Sequence, residues 1–384
     1  MSRPTIYSIP AGINSSPFMS TTEVAELVGF NTGNLAFRVA IECMIERIVG
    51  TVGWHEPSRL ANASDLIVMP CANHLGAHCD LRDQADALEN IKKPIVAIGL
   101  GAQADNYEES PIIPQGTIKL LDLIASRSPN GHPNIWLRGE YTRNVLRNLK
   151  KDSMTTVLGC PSLFLNPSAY LGEEIARRSS LWGRQIRVSV AAGHFFSSKL
   201  RSLEIILADL VTITDGIYVV QAPLEGLQLA RGEWADIDPH ILTHMKNYTC
   251  PNMENESFLH WCRHHMRIFF HVGSWMEALK STDFLIGTRI HGVIIALQSG
   301  IPALCIAHDT RTQELCEIMK IPHILFSQFN SKIFTHENLR ALFSFNPSEF
   351  DTNHRMLAKG AIHFMISNEL EPSRYMYDIA GMHK

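Results

Sequence analysis

The sequence has no long hydrophobic run and no large excess of charge of either sign. In its 384 residues no stretch approaches the roughly 18 consecutive apolar residues of a membrane-spanning helix, and the first residues lack the apolar segment of a secretory signal. Lys and Arg number 34 against 38 Asp and Glu, and this net charge of -4 does not suit a duplex nucleic-acid binder. We therefore expect a cytoplasmic protein without a nucleic-acid partner, and peripheral association with a membrane stays open.

The sequence also lacks the dense cysteine spacing of a disulfide-linked scaffold. Its eight cysteines are scattered over a long chain, and this usage favours reduced thiols in the cytosol. Hydrophobic residues make up 45% of the chain and charged residues 19%, which is typical of a chain with a packed core. At about 150 residues per domain, the length predicts two or three domains.

Apolar strands alternate with amphipathic helices in two series along the chain. Strands are predicted at 65–70, 94–99, 134–138, 185–193, 216–221, 283–287 and 302–307, and helices at 140–150, 203–213, 289–299 and 311–320. A less regular region covers 225–262, and the tail from His354 onward is predicted to be helical. Alternating β and α units with nearly continuous apolar strands are typical of parallel sheets that are covered on both faces.

This alternation predicts an α/β fold with two Rossmann-like domains. We place the first domain at residues 1–170, on the acceptor side, and the second at 171–345, on the donor side. Residues 346–384 form a helical tail, for which packing against the first domain is one open arrangement.

The most informative segment runs from 286 to 297, where a strand ends and a helix begins. We predict Thr288 as the helix N-cap, because its hydroxyl can accept a hydrogen bond from an unpaired amide of the first turn. Arg289 and His291 then fall in the first helical turn, where free amides and the helix dipole favour anions. An arginine at this position opposes the dipole, so the segment favours a site that holds an external anion.

Two further arginines have a similar setting. Arg138 and Arg311 each lie close to the end of a predicted strand and the start of the helix that follows. Ligands of open α/β sheets bind outside the carboxyl ends of the strands, so these arginines and Arg289 are expected to converge on one cleft. Guanidinium groups match carboxylate and phosphate oxygens, which suits a small substrate with two or three negative charges. The alternatives are surface ion pairs for the arginines and a hydrogen-bonded core position for His291.

The segments around these residues resemble the polysaccharide pyruvyl transferase family. The strongest similarity covers 287–292 (Gly-Thr-Arg-Ile-His-Gly), 296–306 and 308–311 (His-Asp-Thr-Arg), which match an Arg-x-His helix start, a small-x-x-x-Gly-x-Pro step and an Asp-x-Lys/Arg helix start. Weaker similarity is found at 31–34, 136–142 and 160–162. Together these matches lie within residues 25–325.

The resemblance implies a GT-B-like pair of Rossmann domains with the active site in the cleft between them. It implies transfer of a pyruvyl group from phosphoenolpyruvate to a sugar of a cell-surface polysaccharide or its precursor, with formation of a cyclic ketal and release of phosphate. Arg138, Arg289, Ile290 and His291 would bind the donor, and Arg311 stands where the family often has lysine. His291 would be the general acid and Arg289 its catalytic partner, because imidazole titrates near neutral pH and arginine neutralises developing charge.

The acceptor side departs from the family. Many members have a glycine-rich loop after an Asp-initiated strand, but here residues 69–76 read Met-Pro-Cys-Ala-Asn-His-Leu-Gly. Side chains are therefore expected to replace bare backbone at the edge of the cleft. The candidate acceptor and cleft residues are Asn31, Asn34, Asn73, His74, Gly101 and Gln103.

Two clusters of potential metal ligands compete with this interpretation. Cys71, His74, His78 and Cys79 lie close together in the sequence, but their order matches no common zinc finger, so a polar loop at the cleft is favoured and metal binding stays open. Cys262, His264 and His265 are interpreted as a solvated helix face. Arginines can neutralise the substrate without a metal, and we predict neither a metal nor a cofactor in the active site.

Other functions remain open at this point. One is a glycosyltransferase that uses a nucleotide sugar on the same architecture, because fold does not determine function. Another is a non-catalytic relative that binds anions or glycans. A lipid-linked or nucleotide-linked acceptor and a homo-oligomer also remain open.

Overall fold

A computed structural model describes residues 2–63, 65–183, 185–332 and 334–383. It contains two sheets in which all strands are parallel. The first sheet consists of β1 (Pro4–Tyr7), β2 (Gly50–Val52), β3 (Leu66–Pro70), β4 (Ile95–Leu100), β5 (Ile135–Leu137) and β6 (Thr155–Val157). The second consists of β7 (Val188–Ala191), β8 (Ile217–Val219), β9 (Met266–Arg267), β10 (Phe284–Gly287), β11 (Ala303–Ala307) and β12 (His323–Leu325).

Helices connect and cover the strands. Those before the second sheet are α1 (Thr21–Leu27), α2 (Asn34–Met44), α3 (Leu60–Ala63), α4 (Arg82–Glu89), α5 (Gln115–Ser126), α6 (Glu140–Asn148) and α7 (Leu171–Ser180). Those that follow are α8 (Arg201–Ile213), α9 (Leu224–Arg231), α10 (Pro239–Thr249), α11 (Asn255–His265), α12 (Val272–Leu279), α13 (Ile290–Gln298), α14 (Thr310–Met319), α15 (Leu339–Leu342), α16 (Pro347–Ser367) and α17 (Arg374–Ala380). Short 3-10 turns lie at Ser16–Phe18, Pro57–Arg59, Pro161–Phe164, Ser198–Leu200, Trp234–Asp236, Phe326–Gln328 and His336–Asn338.

The strand order defines two doubly wound units. The first sheet has the order β2-β1-β3-β4-β5-β6 and the second β12-β11-β10-β7-β8-β9. Counted within its own unit, the second order is the 3-2-1-4-5-6 arrangement of dinucleotide-binding domains, while the first begins like the flavodoxin-like arrangement. The α/β fold with two Rossmann-like domains in a GT-B-like arrangement is therefore confirmed. The domain boundaries at 170 and 345 stay predictions.

One apolar cluster is shared by the two domains. Buried residues of the first domain, among them Phe37 and Trp136, belong to the same cluster as Val293 and Leu297 of α13 and Phe364 of α16. A shared cluster of this kind removes apolar surface from water on both sides at once. The two domains are thus joined by packed side chains beneath the cleft.

The tail after the second sheet binds to the first domain. The backbone amide of Ser2 donates to the carbonyl of Glu369 at 3.0 Å, and the hydroxyl of Ser373 donates to the carbonyl of Cys43 at 2.6 Å. The amide side chain of Asn368 donates to the carbonyl of Pro133 at 2.9 Å. These bonds attach residues near both ends of the first domain to the C-terminal segment.

One detail of the prediction was wrong. Residues 225–262 are not irregular, because α9, α10 and most of α11 lie there. The tail is helical, and its first helix begins at Pro347, where Asn346 caps it by accepting a hydrogen bond from the amide of Glu349. Within the described part of the chain, we find no helix whose length and hydropathy would let it cross a membrane.

Candidate active site

The three predicted arginines lie where the two domains meet. Arg138 directly follows β5, Arg289 lies two residues after β10, and Arg311 is the second residue of α14. Arg138 is 1% exposed, and the other two are mostly buried. The carboxyl ends of both sheets therefore bring cationic side chains to one place, as expected for doubly wound domains.

His291 lies among these arginines. Burial lowers the pKa of His291 well below its usual range, and the positive charges of Arg138, Arg311 and Arg289 lower it further. Arg289 is affected in the same way, since burial and the neighbouring Arg311 lower its pKa to about 10. The imidazole is thus neutral in the free protein, and the site carries a strong positive potential that a bound anion would offset.

A chain of hydrogen bonds crosses the cleft from Arg138 to Arg311. Nη1 of Arg138 donates to Oδ1 of Asn73 at 2.7 Å, and Nδ2 of Asn73 donates to Oε1 of Gln103 at 3.2 Å. Nε2 of Gln103 donates to Oδ2 of Asp309 at 3.3 Å, and the same oxygen accepts from Nη2 of Arg311 at 3.3 Å. Four of the five residues were predicted as site residues, and their contacts link the two domains.

Asp309 is the member of this chain that sequence reasoning missed. Burial alone would raise its pKa, but Arg311, His308 and hydrogen bonds from Thr312 lower it to about 2. Its carboxylate also accepts from the amide of Thr312 at 2.8 Å and so caps α14. An acidic N-cap is an ordinary helix signal, and for this reason its second role at the cleft was not visible in the sequence.

His291 is surrounded by residues from both domains. Its Nε2 lies 3.7 Å from Sγ of the buried Cys160, and its ring centroid lies 5.6 Å from that of Phe37. Phe37 in turn lies 5.6 Å below the guanidinium carbon of Arg138. One aromatic ring therefore separates and positions the imidazole and the first-domain arginine.

A side chain would have little room where the turn before α2 meets His291. A Cβ on Gly33 would lie 2.5 Å from Oε1 of Gln221 and 3.3 Å from Cβ of His291. The predicted Asn31 holds this turn, because its Oδ1 accepts from the amide of Gly33 at 2.9 Å. Gly101 allows a similar approach, since a Cβ there would lie 2.8 Å from Cδ of Arg138. Asn31 and Gly101 therefore shape the cleft through the backbone.

Several buried polar atoms of the site have no hydrogen-bond partner within the described chain. They are Nε of Arg138, Nη2 of Arg289, Nε of Arg311, Nε2 of Gln221 and Nδ1 of His74. An unpaired buried donor costs about 1–3 kcal/mol, so native proteins rarely keep several in one place without a ligand or water. Unpaired donors on all three arginines suit an anion with several acceptor oxygens.

The start of α13 differs from the prediction. Thr288 is not the N-cap, because the backbone remains extended through Arg289, whose φ and ψ are -89° and 102°. Arg289 therefore occupies the N-cap position, and among the described residues no side chain caps this helix. Ile290 becomes the first helical residue and is 2% exposed. The shift places Arg289 and the first amides of α13 at the same point of the cleft.

A buried carboxyl group lies behind Arg289. Glu204 accepts from the hydroxyl of Tyr218 at 2.6 Å and from the amide of Gly193 at 2.9 Å. Burial raises the pKa of Glu204 to about 7, although these hydrogen bonds and the charge of Arg289 act in the opposite direction. Glu204 thus holds the loop after β7 and contributes electrostatically to the Arg289 side of the site.

A cavity of about 360 Å³ lies on the first-domain side of the cleft. The predicted Asn34 and His74 line it, together with Phe37, Trp54 and Glu26. Asn34 is held by a hydrogen bond from its Nδ2 to the carbonyl of Val28 at 3.0 Å. Burial and the charge of Arg138 lower the pKa of His74 to about 4, so its ring is neutral. Aromatic faces and polar groups are thus combined in a space whose lining residues Phe37 and His74 lie close to Arg138.

The Cys/His cluster at 71–79 does not form a set of converging ligands within the described residues. Nε2 of His78 bonds the carbonyl of Asn73 at 3.0 Å, and Sγ of Cys71 contacts the carbonyl of Met69 at 3.4 Å. The polar groups of this loop therefore form hydrogen bonds within the loop and with Arg138.

Sequence reasoning missed Gln221, Cys160 and Phe37. Gln221 follows β8 closely, and a polar residue at the carboxyl end of a strand was the available signal. Cys160 lay inside a turn already compared with the family, while nothing in the local pattern of α2 marks Phe37. Phe37 and Cys160 reach His291 through contacts between the domains, and Gln221 and His291 both lie against Gly33.

A search of curated proteins finds no match. Among solved structures, a UDP-N-acetylglucosamine 2-epimerase from Rickettsia bellii is 11% identical, with a TM-score of 0.43 and coverage of 96% of this chain and 97% of that one. MurG from Acinetobacter baumannii is 10% identical, with a TM-score of 0.37 and coverage of 98% of each chain. Likeness at this level transfers no activity to this chain.

A family model gives a direct assignment. The model described as polysaccharide pyruvyl transferase matches residues 47–310, more than half of the chain. The matched range includes Arg138, Arg289 and His291 and ends one residue before Arg311. The chain therefore belongs to the polysaccharide pyruvyl transferase family.

Proposed function

We propose that the cleft binds phosphoenolpyruvate and transfers its pyruvyl group to two hydroxyls of a sugar, which form a cyclic ketal as phosphate leaves. The observation that carries this proposal is the set of three arginines from both domains, each with a buried unpaired nitrogen, around a neutral imidazole. Phosphoenolpyruvate has a carboxylate and a phosphate, and guanidinium groups bind both kinds of oxygen in a fork geometry.

His291 is the proposed general acid. It gives a proton to the methylene carbon of the enol while a sugar hydroxyl forms a bond to the neighbouring carbon and loses its own proton. The bond from that carbon to the phosphate oxygen then breaks, and the second hydroxyl takes its place. The new methyl group thus carries the proton from His291, and the two hydroxyls release one proton each, which go to the leaving phosphate and to solvent.

The negative charge of the donor makes this role feasible. In the free protein, burial and three arginines keep the pKa of His291 low. A bound trianion neutralises those arginines and raises the pKa of His291 again, so the ring takes up a proton as the donor binds. Arg138, Arg289 and Arg311 then hold the donor and neutralise the charge that develops on the leaving phosphate.

The cavity beside Phe37 is the proposed acceptor site. Aromatic side chains such as Trp54 suit the apolar faces of a pyranose ring, and Asn34 and Glu26 can bond its hydroxyls. His74 has a buried unpaired Nδ1 and a neutral ring, so it is the proposed acceptor of the hydroxyl proton.

Two measurements test the proposed function. Thermal unfolding with phosphoenolpyruvate, UDP-sugars and GDP-sugars should show stabilisation by phosphoenolpyruvate, because a ligand that binds only the folded state raises its stability. Stabilisation by a nucleotide sugar alone would support a glycosyltransferase and overturn the proposal.

Phosphate release from phosphoenolpyruvate is then measured across a panel of sugar acceptors. We expect release with a suitable acceptor and a loss of about 10²–10⁴-fold in His291→Ala, because proton transfer by a placed side chain contributes that much. Binding of phosphoenolpyruvate that never leads to phosphate release would identify a non-catalytic binding protein instead.

A further inference from the structure

A second group of polar side chains lies at the end of the second sheet opposite the cleft, where its strands begin. Asp215 lies in the turn between α8 and β8, and His264 and His265 end α11 just before β9. These positions are at the amino ends of β8 and β9, whereas the cleft is at the carboxyl ends. The sequence suggested only a solvated helix face here, because Asp215 lies about 50 residues before the histidines.

The three side chains converge. Nε2 of His264 lies 2.8 Å from Oδ1 of Asp215, and one ligand atom from each of the three residues lies within 4.8 Å of the others. Ligand atoms bound tetrahedrally at about 2.0–2.1 Å from a zinc ion are separated by roughly 3.3 Å. Small movements of exposed side chains would therefore close this set around one ion.

The buried histidine is already oriented. Nδ1 of His265 bonds the carbonyl of Gly216 at 3.0 Å, and its ring packs against that of Trp261 with centroids 5.4 Å apart. Histidines that bind metals usually donate one ring N–H to a carbonyl or carboxylate, which leaves the other nitrogen for the ion. His265 thus has the outer contact of a metal ligand.

The backbone around the site also favours a cation. Both α8, whose last residue is Ile213, and α11, whose last residue is His265, end beside it. The free carbonyls at a helix carboxyl end carry partial negative charge, and here two such ends meet. Two arginines lie close to the site, and their hydrogen bonds do not engage the carboxylate. Nε of Arg187 donates to the carbonyl of Asp215 at 2.7 Å, and Nη1 of Arg267 donates to the carbonyl of Met266 at 2.7 Å.

We propose that Asp215, His264 and His265 form a binding site for a divalent transition metal ion of the zinc class. Two imidazoles and one carboxylate match the ligand preferences of Zn²⁺, while Mg²⁺ and Ca²⁺ prefer oxygen ligands alone. Three protein ligands leave at least one position for water. The ion would tie the end of α11 to the turn before β8 and so stabilise the second domain.

Zinc titration of the tag-free, metal-free protein tests this site. We expect one equivalent of Zn²⁺ to bind and to raise the thermal unfolding temperature, and Mg²⁺ to have no effect. His264→Ala and Asp215→Asn should each weaken Zn²⁺ binding by more than about tenfold. Loss of a residue that only supports a metal ligand already weakens binding by about tenfold or more, and loss of a ligand should cost more than that. Both residues are exposed, with side chains 56% and 72% accessible, so the variants should fold.

Matched controls identify where the ion binds. His240→Ala changes an exposed histidine of another helix, and Cys79→Ser changes a partly exposed thiol of the other Cys/His cluster. Both should bind Zn²⁺ like the unmodified protein. The proposal is overturned if no saturable binding is found, if both ligand variants keep the affinity, or if Cys79→Ser abolishes it.

Discussion

Arg138 and Arg289 face the same cleft from opposite domains, but the chain holds them differently. Arg138 donates to Asn73 and to the carbonyl of Cys71, and its side chain lies against Gly101. Arg289 occupies the N-cap of a helix that no side chain caps, and its Nη2 is buried without a partner within the described chain. Both arginines keep an unpaired nitrogen, Nε in the case of Arg138, but the hydrogen bonds of Arg138 fix its side chain before a ligand arrives, whereas Arg289 depends more on the ligand.

The helices that follow these arginines show the same contrast. The start of α6, after Arg138, is bound by Glu314 from the second domain, whose carboxylate accepts from the amide of Thr142 at 3.1 Å and from its hydroxyl at 2.7 Å. Within the residues that the structure describes, no side chain makes such a contact with the start of α13, after Arg289. The first half of the site is thus braced by the other domain, and the second half is left open to a ligand.

Alanine substitution of the two arginines tests this contrast with the largest effects. Each variant should bind phosphoenolpyruvate at least about thirtyfold more weakly, because losing one partner of a buried charged contact costs about 2–5 kcal/mol. Arg138→Ala should also lower the thermal unfolding temperature, since Asn73 and the carbonyl of Cys71 lose their donor. Arg289→Ala should change that temperature much less.

Calorimetric titration with phosphoenolpyruvate and thermal unfolding measure the two effects separately. Arg147→Ala, an exposed arginine of α6, is the matched control and should leave both unchanged. Equal losses of stability in the two cleft variants would show that the protein holds Arg138 and Arg289 equally firmly. Unchanged affinity of Arg289→Ala for phosphoenolpyruvate would show that Arg289 does not bind the donor.

The contact between Glu314 and Thr142, which joins the two domains, is tested by Glu314→Gln. We expect a change in how the free energy of unfolding depends on pH, which is a smaller effect than those of the arginine variants. Burial raises the pKa of Glu314 to about 7, against the hydrogen bonds from Thr142. Its folded pKa thus exceeds its unfolded value, so the folded state binds the extra proton and stability falls as pH rises from about 4.5 to about 7. The loss is up to roughly 3 kcal/mol at 1.36 kcal/mol per pKa unit.

Glutamine keeps one of the two accepting oxygens and has no proton to lose in that range. The difference in unfolding free energy, variant minus unmodified protein, should therefore increase between pH 5 and pH 8 in denaturant titrations. A difference that stays constant between pH 5 and pH 8 would show that folding does not raise the pKa of Glu314.

The contrast also shows which parts of the site were predictable from sequence. Arg138, Arg289 and His291 were found because strand and helix periodicity is local and places strand ends at one edge. Thr288 was assigned the wrong role because the extended backbone continues one residue further than side-chain capping preference indicates. Asp309 was missed because a capping residue and a cleft residue look alike in sequence.

Contacts between distant segments account for the rest. Phe37 and Cys160 meet His291 from distant segments, and Gln221 lies with His291 against Gly33; no spacing in the chain encodes that meeting. The same holds for Asp215, which joins two histidines only through the pairing of β8 with β9.

The central claim is that a trianionic donor converts a neutral His291 into an acid, and proton uptake on binding tests it most directly. Phosphoenolpyruvate is titrated calorimetrically at pH 6.5 in buffers of different ionisation enthalpy, with the protein and with His291→Gln. The account predicts that both bind the donor and that net proton uptake is clearly larger in the protein with histidine. Equal uptake in both, or no binding of phosphoenolpyruvate at all, would contradict it.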